Sequence, residues 1–349
     1  FDQARQVLTP AQQYALVAVV MLVLVMVVFG WSETVLHYGN GVVAAFFFLS
    51  TFYRLRLIDL SLRRRQEIRL ASAELRPPLG GWPAYVVQVP LYHEPVAAGS
   101  IVQALSRLDY PADRLTVQLL VEADDDETRA AVARLELEPP FEVVEVPVSQ
   151  PRTKPKACNV GLAAARGDYL VIYDAEDRPD PDQLKKAAVA FDRVDPQVVC
   201  LQAKLDFYNV RRNLITRCFA AEYAQWFGLC LPGLDALRAP IPLGGTSNHF
   251  RLNVLKRLQG WDEYNVTEDC DLGLRLFRDG YRTRILDSTT WEEACGRCGP
   301  WFRQRSRWVK GYIQTWLVHT RRPLVFTRRF GLRHSLHVHL LIGGSVLAQ

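Results

Sequence analysis

The stretch that decides the fold is DYLVIYDAED, residues 168–177, in which an apolar run ends in a cluster of carboxylates. Three further apolar runs precede it in the chain: YVVQVP at 85–90, LTVQLLVE at 115–122 and FEVVEVP at 141–147. Segments of helical pattern separate these runs, near residues 96–107, 127–136 and 156–165. Short strands of Val, Ile and Leu that alternate with helices predict an α/β fold, with a mostly parallel sheet covered on both faces.

Polar clusters follow the ends of the first, second and fourth predicted strands. They are Tyr92-His93-Glu94, residues 122–126 and residues 174–177. Because ligands bind at the carboxyl ends of parallel strands, we expect the three clusters to converge on one edge of the sheet. The first strand is not followed by a Gly-x-Gly-x-x-Gly motif, which argues against a Rossmann-type NAD site.

The spacing of Asp174 and Glu176 suits a metal site as well as an ordinary turn. Carboxylates that close a strand can hold Mg²⁺ or Mn²⁺ together with diphosphate oxygens, since hard cations prefer oxygen ligands. Aspartate is also a common residue in turns and at the starts of helices. The cluster by itself therefore leaves both interpretations open.

Two motifs in the second half of the chain add candidate functional residues. Thr267-Glu268-Asp269 begins a helix predicted at 268–279, whose first turn favours anions, although an ordinary helix start has the same composition. Gln304-Arg305-Ser306-Arg307-Trp308 leads a stretch with aromatic and aliphatic residues at helical spacing. That stretch, like residues 211–231, predicts an amphipathic helix at a membrane surface.

Composition and charge indicate a folded protein with a membrane-embedded part. Of the 349 residues, 49% are hydrophobic and 23% are charged, which excludes a disordered chain, a collagen-like repeat and a coiled coil. Residues 14–31 and 34–53 contain no Asp, Glu, Lys or Arg, and several arginines, Arg65 among them, follow the second run. This pattern predicts a membrane hairpin with both arms on the cytoplasmic side, and buried core helices are the alternative. Much of the net charge of +5 lies beside apolar runs, so it does not indicate nucleic-acid binding.

The chain divides into four predicted segments. A Pro/Gly break at 76–81 separates the hairpin from the catalytic domain. A further apolar run from His334 stops before it is long enough to span a bilayer, so we expect a longer membrane protein. The predicted segments are the transmembrane hairpin at 1–62, the cytoplasmic catalytic domain at 80–295, interface helices at 296–332 and the start of another span at 333–349.

The seven cysteines are scattered through the sequence and predict free thiols in a reducing compartment. Only Cys295 and Cys298 form a Cys-x-x-Cys pair, and no second pair of cysteines or histidines completes a zinc site. We therefore assign no metal or redox role to the cysteines.

The order of the motifs resembles the processive membrane-bound glycosyltransferases of family 2, such as the cellulose, curdlan and hyaluronan synthases. The likeness covers residues 85–318 and depends on an acidic strand end, a DxD-like pair, Thr267-Glu268-Asp269 and Gln304-x-x-Arg307-Trp308, with apolar runs on either side. It implies a nucleotide-diphospho-sugar transferase domain of the GT-A type, flanked by transmembrane helices and amphipathic interface helices. In that family the transmembrane helices conduct the growing polymer outward.

The resemblance assigns the first half of the domain to the sugar-nucleotide donor. Tyr92 and Glu94 would lie beside the nucleobase, and the cluster Glu122, Asp124 and Asp125 would contact the uridine. This cluster departs from the usual Asp-Asp-Gly or Asp-Asp-Ser, so which carboxylate acts stays open. The other implied donor residues are Lys156 and Asn159 at the phosphate and ribose, and Asp174 with Glu176 at a Mg²⁺ or Mn²⁺ ion, where Glu replaces the family's second Asp.

The resemblance assigns the second half to catalysis and to the acceptor. Asp269 falls on the catalytic base, and Glu268 stands beside it in the same motif. Gln304, Arg307 and Trp308 fall on the element that holds the acceptor sugar and the pyrophosphate. Glycosyl transfer needs a base for the acceptor proton and cations for the leaving diphosphate, and these residue types supply both. A single base without a carboxylate nucleophile implies inversion and a β-linked product.

The function predicted from this resemblance is metal-dependent transfer of a sugar from a UDP-sugar, with UDP-glucose favoured. The predicted acceptor is the non-reducing end of a growing β-linked polysaccharide, exported across the bacterial inner (plasma) membrane. The predicted partners are the lipid bilayer and either export proteins or a second copy of the chain, with no nucleic acid.

Two other functions are compatible with parts of the sequence. A non-processive enzyme that adds one sugar to a lipid, resembling ceramide glucosyltransferase, also carries a Gln-x-x-Arg-Trp element. A membrane receptor or export component with a degenerate transferase domain would keep the fold alone. The complete set Asp269, Gln304, Arg307 and Trp308 argues against that last alternative.

Overall fold

The computed structural model describes residues 3–64 and 66–347. Parts of the predicted hairpin at 1–62 and of the predicted span at 333–349 therefore lie outside the described residues, as does one of the predicted cytoplasmic arginines. The positions outside the description are Phe1, Asp2, Arg65, Ala348 and Gln349.

Eight strands in the described part of the chain form one sheet. They are β1 (Tyr85–Leu91), β2 (Leu115–Glu122), β3 (Phe141–Val146), β4 (Tyr169–Ile172), β5 (Arg178–Pro179), β6 (Val198–Phe207), β7 (Asn248–Arg251) and β8 (Arg282–Glu292). Their order across the sheet is β3-β2-β1-β4-β7-β6-β8-β5. The four strands predicted from the sequence are β1 to β4, and each starts within a residue of its predicted position.

The sheet is parallel on one side and mixed on the other. Strands β3, β2, β1 and β4 pair in parallel, whereas β7 runs antiparallel to both β4 and β6. Strands β6 and β8 are parallel, and the short β5 is antiparallel to β8. The predicted parallel sheet is therefore correct for β1 to β4, and the sheet as a whole is mixed. Strand β7 is not predicted, because its four residues, NHFR, lack the apolar run that marks the equally short β4.

Helices lie on both faces of the sheet and at the N-terminus. They are α1 (Pro10–Val28), α2 (Ser32–Arg64), α3 (Ala97–Leu105), α4 (Asp126–Ala133), α5 (Lys154–Ala164), α6 (Gln183–Arg193), α7 (Leu214–Gln225), α8 (Leu231–Ala236), α9 (Leu252–Arg257), α10 (Glu268–Arg278), α11 (Cys298–His319), α12 (Pro323–Phe330), α13 (Leu332–Val338) and α14 (Gly344–Leu347). Helical turns of the π type connect α7 to α8 and α13 to α14. The predicted helices near 96–107, 127–136, 156–165 and 268–279 correspond to α3, α4, α5 and α10.

Apolar side chains fill both faces of the sheet, as its coverage by helices requires. Neighbouring residues of β1 point to opposite faces, so Val86 packs in one core and Val87 in the other. The first core includes Leu162 of α5, and the second includes Phe191 of α6. Buried on both faces, the central strands β1, β2 and β4 form a platform whose carboxyl ends carry the polar clusters.

The N-terminal hairpin consists of the two helices in the described chain that are long and apolar enough to cross a membrane. Helix α1 has 19 residues with a mean hydropathy of 2.3, and none of its residues is buried. At 1.5 Å per residue it is about 28 Å long, close to the thickness of a hydrocarbon core. The second half of α2 packs on the domain, where Leu57 is fully buried and its carbonyl lies against Gly233 of α8.

Helix α11 is held against the segment that precedes α10. The Asn265 amide donates to the hydroxyl of Thr315 at 2.9 Å, and the Val266 N–H donates to Oε1 of Gln314 at 3.2 Å. The Gln314 amide in turn donates to the carbonyl of Tyr264 at 2.9 Å. These bonds fix the middle of α11 beside the first turn of α10.

Replacing Gly311 by alanine is expected to destabilise this contact. A Cβ built on Gly311 would lie 2.4 Å from Cγ2 of Thr267, which is buried and hydrogen-bonded. We expect an overpacking cost of about 1–3 kcal/mol, measured as a lower Tm of the detergent-purified chain. Gly299→Ala in the same helix is the matched control, because nothing lies within 4 Å of the added carbon. Equal Tm values for the two variants would contradict this account of the contact.

Candidate active site

The loops after β1 and β2 meet through Asp125. The N–H of His93 donates to Oδ2 of Asp125 at 2.5 Å, and the N–H of Thr128 donates to Oδ1 at 3.1 Å. The N–H of Glu94 donates to the hydroxyl of Thr128 at 3.0 Å, and the exposed Tyr92 ring contacts His93 with centroids 4.1 Å apart. Burial alone would raise the pKa of Asp125, but the hydrogen bonds from Thr128 and His93 lower it below its usual value. Asp125 therefore holds the loop that carries Tyr92 and Glu94.

Glu122 and Lys156 form a buried ion pair behind these loops. Lys156 Nζ lies 2.9 Å from Oε2 of Glu122 and donates to the carbonyl of Pro147 at 2.6 Å. The two residues are 4% and 3% exposed. Asp124 lies nearer the surface, where Arg152 pairs with it at 2.6 Å. Lys156 is thus bonded within the protein, and its predicted contact with a donor phosphate stays a prediction.

Asn159 connects α5 to the loop before α10. Its amide nitrogen donates to the carbonyl of Trp261 at 2.9 Å and to the carboxylate of Glu263 at 3.0 Å. Its Oδ1 accepts the N–H of Trp261 at 3.0 Å. These three bonds fix the loop at 261–263 against α5. The predicted contact of Asn159 with a ribose stays a prediction.

Lys154 is a site residue that the sequence analysis misses. Its ammonium group donates to the carboxylate of Asp174 and, at 2.7 Å, to the carbonyl of Gly245. Burial alone would lower the pKa of Lys154, but Asp174 and Glu268 raise it above its usual value, so the side chain is charged. The only sequence signal is its position two residues before Lys156, at the start of α5.

Glu268 and Asp269 are the first two residues of α10. A Cβ built on Gly245 would lie 3.6 Å from Oδ2 of Asp269, so the Asp269 carboxylate faces the residue whose carbonyl binds Lys154. Burial raises the pKa of Asp269 to about 6. Burial and the charge of Asp269 raise that of Glu268 to about 8. The structure thus brings together Asp174 and Asp269, from opposite halves of the chain, in one cleft.

Carboxylates crowd around Asp174. Oδ2 of the buried Asp177 accepts the N–H of Asp174 at 2.8 Å and the hydroxyl of Thr246, while its Oδ1 has no hydrogen-bond partner among the described residues. Burial and the charge of Asp174 raise the pKa of Asp177 well above its usual value. Burial, followed by Asp177 and Asp174, has the same effect on Glu292, at the end of β8. This crowding of negative charge favours the binding of a cation.

The predicted pair Asp174 and Glu176 fits a divalent cation that shares its ligands with a substrate. Within residues 3–64 and 66–347, no group of three or more His, Cys, Asp or Glu side chains forms a complete metal site. A hard cation such as Mg²⁺ or Mn²⁺ commonly uses one or two carboxylates together with substrate phosphates and water. The oxygen-only donor set and the unpartnered Oδ1 of Asp177 are consistent with such an ion.

The predicted acceptor motif lies on α11, one to two turns before its contact with Thr267. Trp308 packs among aromatic rings, with centroid distances of 5.9 Å to Phe219 and 6.3 Å to Tyr223. Arg307 is exposed, whereas Oε1 of Gln304 is buried and has no hydrogen-bond partner in the described chain. Because α11 is fixed beside the start of α10, the motif lies near Glu268 and Asp269.

A cavity of about 720 Å³ opens beside the carboxylates. Its lining includes Glu94, Glu176, Asp177, Tyr208 and residues 293–297. Its volume falls in the range of about 300–1,000 Å³ that is typical of small-molecule sites. The cavity therefore has room for a sugar next to the predicted metal pair.

Comparison with known proteins gives both a family and relatives. A model of the family described as Glycosyl transferase family group 2 matches residues 169–348. The beta-monoglucosyldiacylglycerol synthase of Synechocystis sp. is 28% identical over 327 residues, 89% of this chain and 66% of that protein. The probable glycosyltransferase YdaM of Bacillus subtilis is 26% identical over 234 residues, 66% of this chain and 55% of that protein. Glucomannan 4-beta-mannosyltransferase 7 of Arabidopsis thaliana is 24% identical over 213 residues, 59% of this chain.

The chain spans 38–66% of the length of these three relatives. Among solved structures, the mannosyltransferase PcManGT of Pyrobaculum calidifontis, in complex with GDP-Man and Mn²⁺, superposes with a TM-score of 0.60 at 22% identity. That likeness covers 87% of this chain and 84% of the other. S. aureus TarS with UDP-GlcNAc has a TM-score of 0.50 at 17% identity, over 73% and 72% of the two chains. At these identities the likeness concerns the fold alone, and it confirms the predicted GT-A fold.

Proposed function

The chain belongs to glycosyl transferase family group 2, and from this premise we propose that it transfers a hexose from a nucleotide diphosphate sugar to an acceptor hydroxyl, with inversion. The membership confirms the predicted family and the predicted class of enzyme, a hexosyltransferase. The processive subtype, the donor and the acceptor are parts of the proposal.

The position of Lys154 between two distant carboxylates carries this proposal. Its ammonium group bonds to Asp174 and to the carbonyl of Gly245, and Gly245 lies against Asp269. A leaving diphosphate at Asp174 is within reach of the Lys154 ammonium group. The proposed base, Asp269, lies against Gly245. Such an arrangement suits a single displacement, in which the acceptor attacks opposite the leaving group.

Each residue of the cleft has a separate task in the proposed reaction. Asp269 accepts the proton of the acceptor hydroxyl as its oxygen attacks C1 of the sugar. Lys154, and Arg307 from α11, stabilise the negative charge on the departing diphosphate. Asp174 and Glu176 would hold a divalent cation, which would supply further charge neutralisation for that diphosphate. Trp308 gives the acceptor side of the cleft a rigid aromatic wall.

We place the hairpin of α1 and α2 across a membrane and the catalytic domain in the cytosol. The apolar side chains of α1 are exposed, and exposure of a surface that large to water would be strongly unfavourable. The connection at residues 29–31 and the first turns of α2 carry Glu33 and no Lys or Arg, whereas Arg54, Arg63 and Arg64 lie on the far half of α2. This asymmetry is the one expected for arms on the cytoplasmic side of a bacterial inner membrane.

The favoured acceptor is a growing β-linked polysaccharide, and UDP-glucose is the favoured donor. The motif order that resembles polysaccharide synthases supports this acceptor, and a relative named as a glucomannan mannosyltransferase is compatible with it. A lipid acceptor is the second candidate. It is favoured by the match to a beta-monoglucosyldiacylglycerol synthase, because that match covers 89% of this chain.

Product size distinguishes the two acceptors. Membranes containing the full chain are incubated with Mn²⁺ and labelled UDP-glucose, UDP-N-acetylglucosamine or GDP-mannose, and products are separated into organic extract and high-mass material. We expect a high-mass, glucanase-sensitive product from UDP-glucose. Membranes containing the Asp269→Asn variant give the background from host enzymes.

One labelled sugar on an extractable lipid would show that the acceptor is a lipid and not a polysaccharide. Label transferred only from GDP-mannose would correct the donor and leave the reaction type intact. Absence of label in both fractions with every donor, from a folded chain, would contradict the proposed transfer.

A further inference from the structure

A second cavity, of about 100 Å³, lies among α10, α11 and α12. Its described lining contains five arginines and a single carboxylate, Asp271. The arginines are Arg275, Arg278, Arg321, Arg322 and Arg329. This second cavity includes neither Lys154 nor Asp174, and it shares no residue with the cavity beside the predicted metal pair. The proposed reaction therefore makes no use of it.

The carboxylate of the cavity is already neutralised within the protein. Oδ2 of Asp271 accepts from Nε of Arg275 at 2.7 Å, and Oδ1 lies 2.9 Å from Nε2 of His319. Arg278 lies 3.1 Å from the carboxylate of Asp279 at the helix end. In the described chain, no carboxylate lies within salt-bridge distance of Arg322 or Arg329. The cavity therefore has an excess of positive charge.

The cavity lies at the level where the first apolar helix begins. The side-chain amide of Gln12, in the first turn of α1, donates to the carbonyl of Leu317 at 3.0 Å, next to the cavity residue Val318. The guanidinium group of Arg321 donates to the carbonyl of Gln3 at 3.0 Å. With α1 in a bilayer, this is the depth of the lipid headgroups.

Exposed apolar side chains lie on α12, which lines the basic cavity, and on α13, which follows it. Leu324 of α12 is 76% exposed, and Leu332 and Leu336 of α13 are 80% and 55% exposed. A basic site in a segment with exposed leucines matches the boundary between headgroups and acyl chains, where arginine binds phosphate and leucine enters the hydrocarbon. The combination favours an anion presented by a membrane over an anion from solution.

We propose that this cavity binds the phosphate of an anionic phospholipid headgroup, with Arg322 and Arg329 as its principal ligands. The volume of about 100 Å³ lies below the range of about 300–1,000 Å³ that is typical of small-molecule sites, and it suits one phosphate group. Guanidinium groups bind phosphate oxygens in pairs, which gives the site geometry as well as charge. The proposal rests on the membrane placement of α1 and α2 proposed above and not on sugar transfer.

Lipid retention by the purified full chain tests this site without any sugar donor. The chain in detergent is mixed with dioleoylphosphatidylglycerol or dioleoylphosphatidylcholine, and the lipid that stays bound is measured by native mass spectrometry. We expect the phosphatidylglycerol to be retained at least about tenfold more strongly than the zwitterionic lipid. The double variant Arg322→Gln with Arg329→Gln should lose this preference.

A second double variant gives a control of equal charge. Arg328→Gln with Arg333→Gln removes two exposed arginines from the same segment that do not line the cavity, and it should keep the preference. Equal loss in both double variants would overturn the proposal in favour of general surface charge. Displacement of the lipid by millimolar inorganic phosphate would overturn it in favour of a free anion site. If the first double variant unfolds, Arg322→Gln alone is measured, and full retention there also overturns the proposal.

Discussion

Replacing Asp269 by asparagine is expected to lower kcat by about 10²–10⁴-fold, the usual contribution of a general base. The amide keeps the size of the side chain and its hydrogen bond from the N–H of Cys270, which is 2.7 Å from Oδ1. It cannot accept the proton of the acceptor hydroxyl. The proposed donor contacts are made by Asp174 and Lys154 and not by Asp269, so binding of UDP should be unchanged.

The measurement is initial rate of sugar transfer together with calorimetric titration of UDP and Mn²⁺. Asp279→Asn is the matched control, because Asp279 follows the last residue of the same helix and lies away from the cleft. The control should keep both activity and UDP binding. A wild-type kcat in the Asp269→Asn variant would show that Asp269 is not the base.

The pH dependence of kcat should follow the titration of the same carboxylate. Burial raises the pKa of Asp269 to about 6, and a base acts only in its deprotonated form, so kcat should rise as pH increases through about 6. Glu268, with its pKa raised to about 8 by burial and by Asp269, interacts with it, so the titration steps belong to the pair. The residual activity of Asp269→Asn should lack the rise near pH 6.

The strands of the sheet are readable from the sequence because their signal is local. Strands β1 to β4 are apolar runs bounded by polar turns, and their parallel pairing places the predicted clusters on one edge. Local patterns also locate the start of α10 at Glu268 and the apolar helices α1 and α2. The reversal at β7 is not readable, because NHFR has no apolar run that would mark it as a strand, whereas the equally short β4, YLVI, is apolar throughout.

The residues missed by the sequence analysis depend on contacts between distant parts of the chain. Lys154 gains its role from Asp174, 20 residues away, and from Gly245, 91 residues away. Glu292 lies among the carboxylates around Asp174 only because β8 ends near Asp177. The spacing of residues in the sequence does not predict such contacts, because they form only when the chain folds.

The motif on α11 shows how neighbours in a sequence can have different environments. Trp308 packs against Phe219 and Tyr223, while Arg307, one residue earlier, is exposed. Successive residues of a helix point about 100° apart, so a motif alone does not tell which of them is packed and which is available. The resemblance assigns Trp308 to the element that holds the acceptor, and its ring contacts place it in an aromatic cluster.

Replacing Asp174 by asparagine is expected to lower kcat by at least about 100-fold, since charge stabilisation at a departing diphosphate contributes several kcal/mol. The same change should remove the stabilisation of the protein by Mn²⁺. In the wild type, burial and the charge of Asp174 raise the pKa of Asp177, and burial with Asp177 and Asp174 raises that of Glu292. A bound cation relieves this repulsion and should raise Tm.

Thermal unfolding with and without Mn²⁺ separates a cation site from a purely structural role of Asp174. Asp174→Asn removes a like charge from beside Asp177 and Glu292 but also the charged partner of Lys154, so the readout is the change of Tm on adding Mn²⁺ and not the metal-free Tm. The variant should show no rise of Tm with Mn²⁺, whereas Asp192→Asn, an exposed control on α6, should keep both activity and the rise. A variant that retains the full Mn²⁺ response would assign the cation to the remaining carboxylates and leave Asp174 as the partner of Lys154 alone.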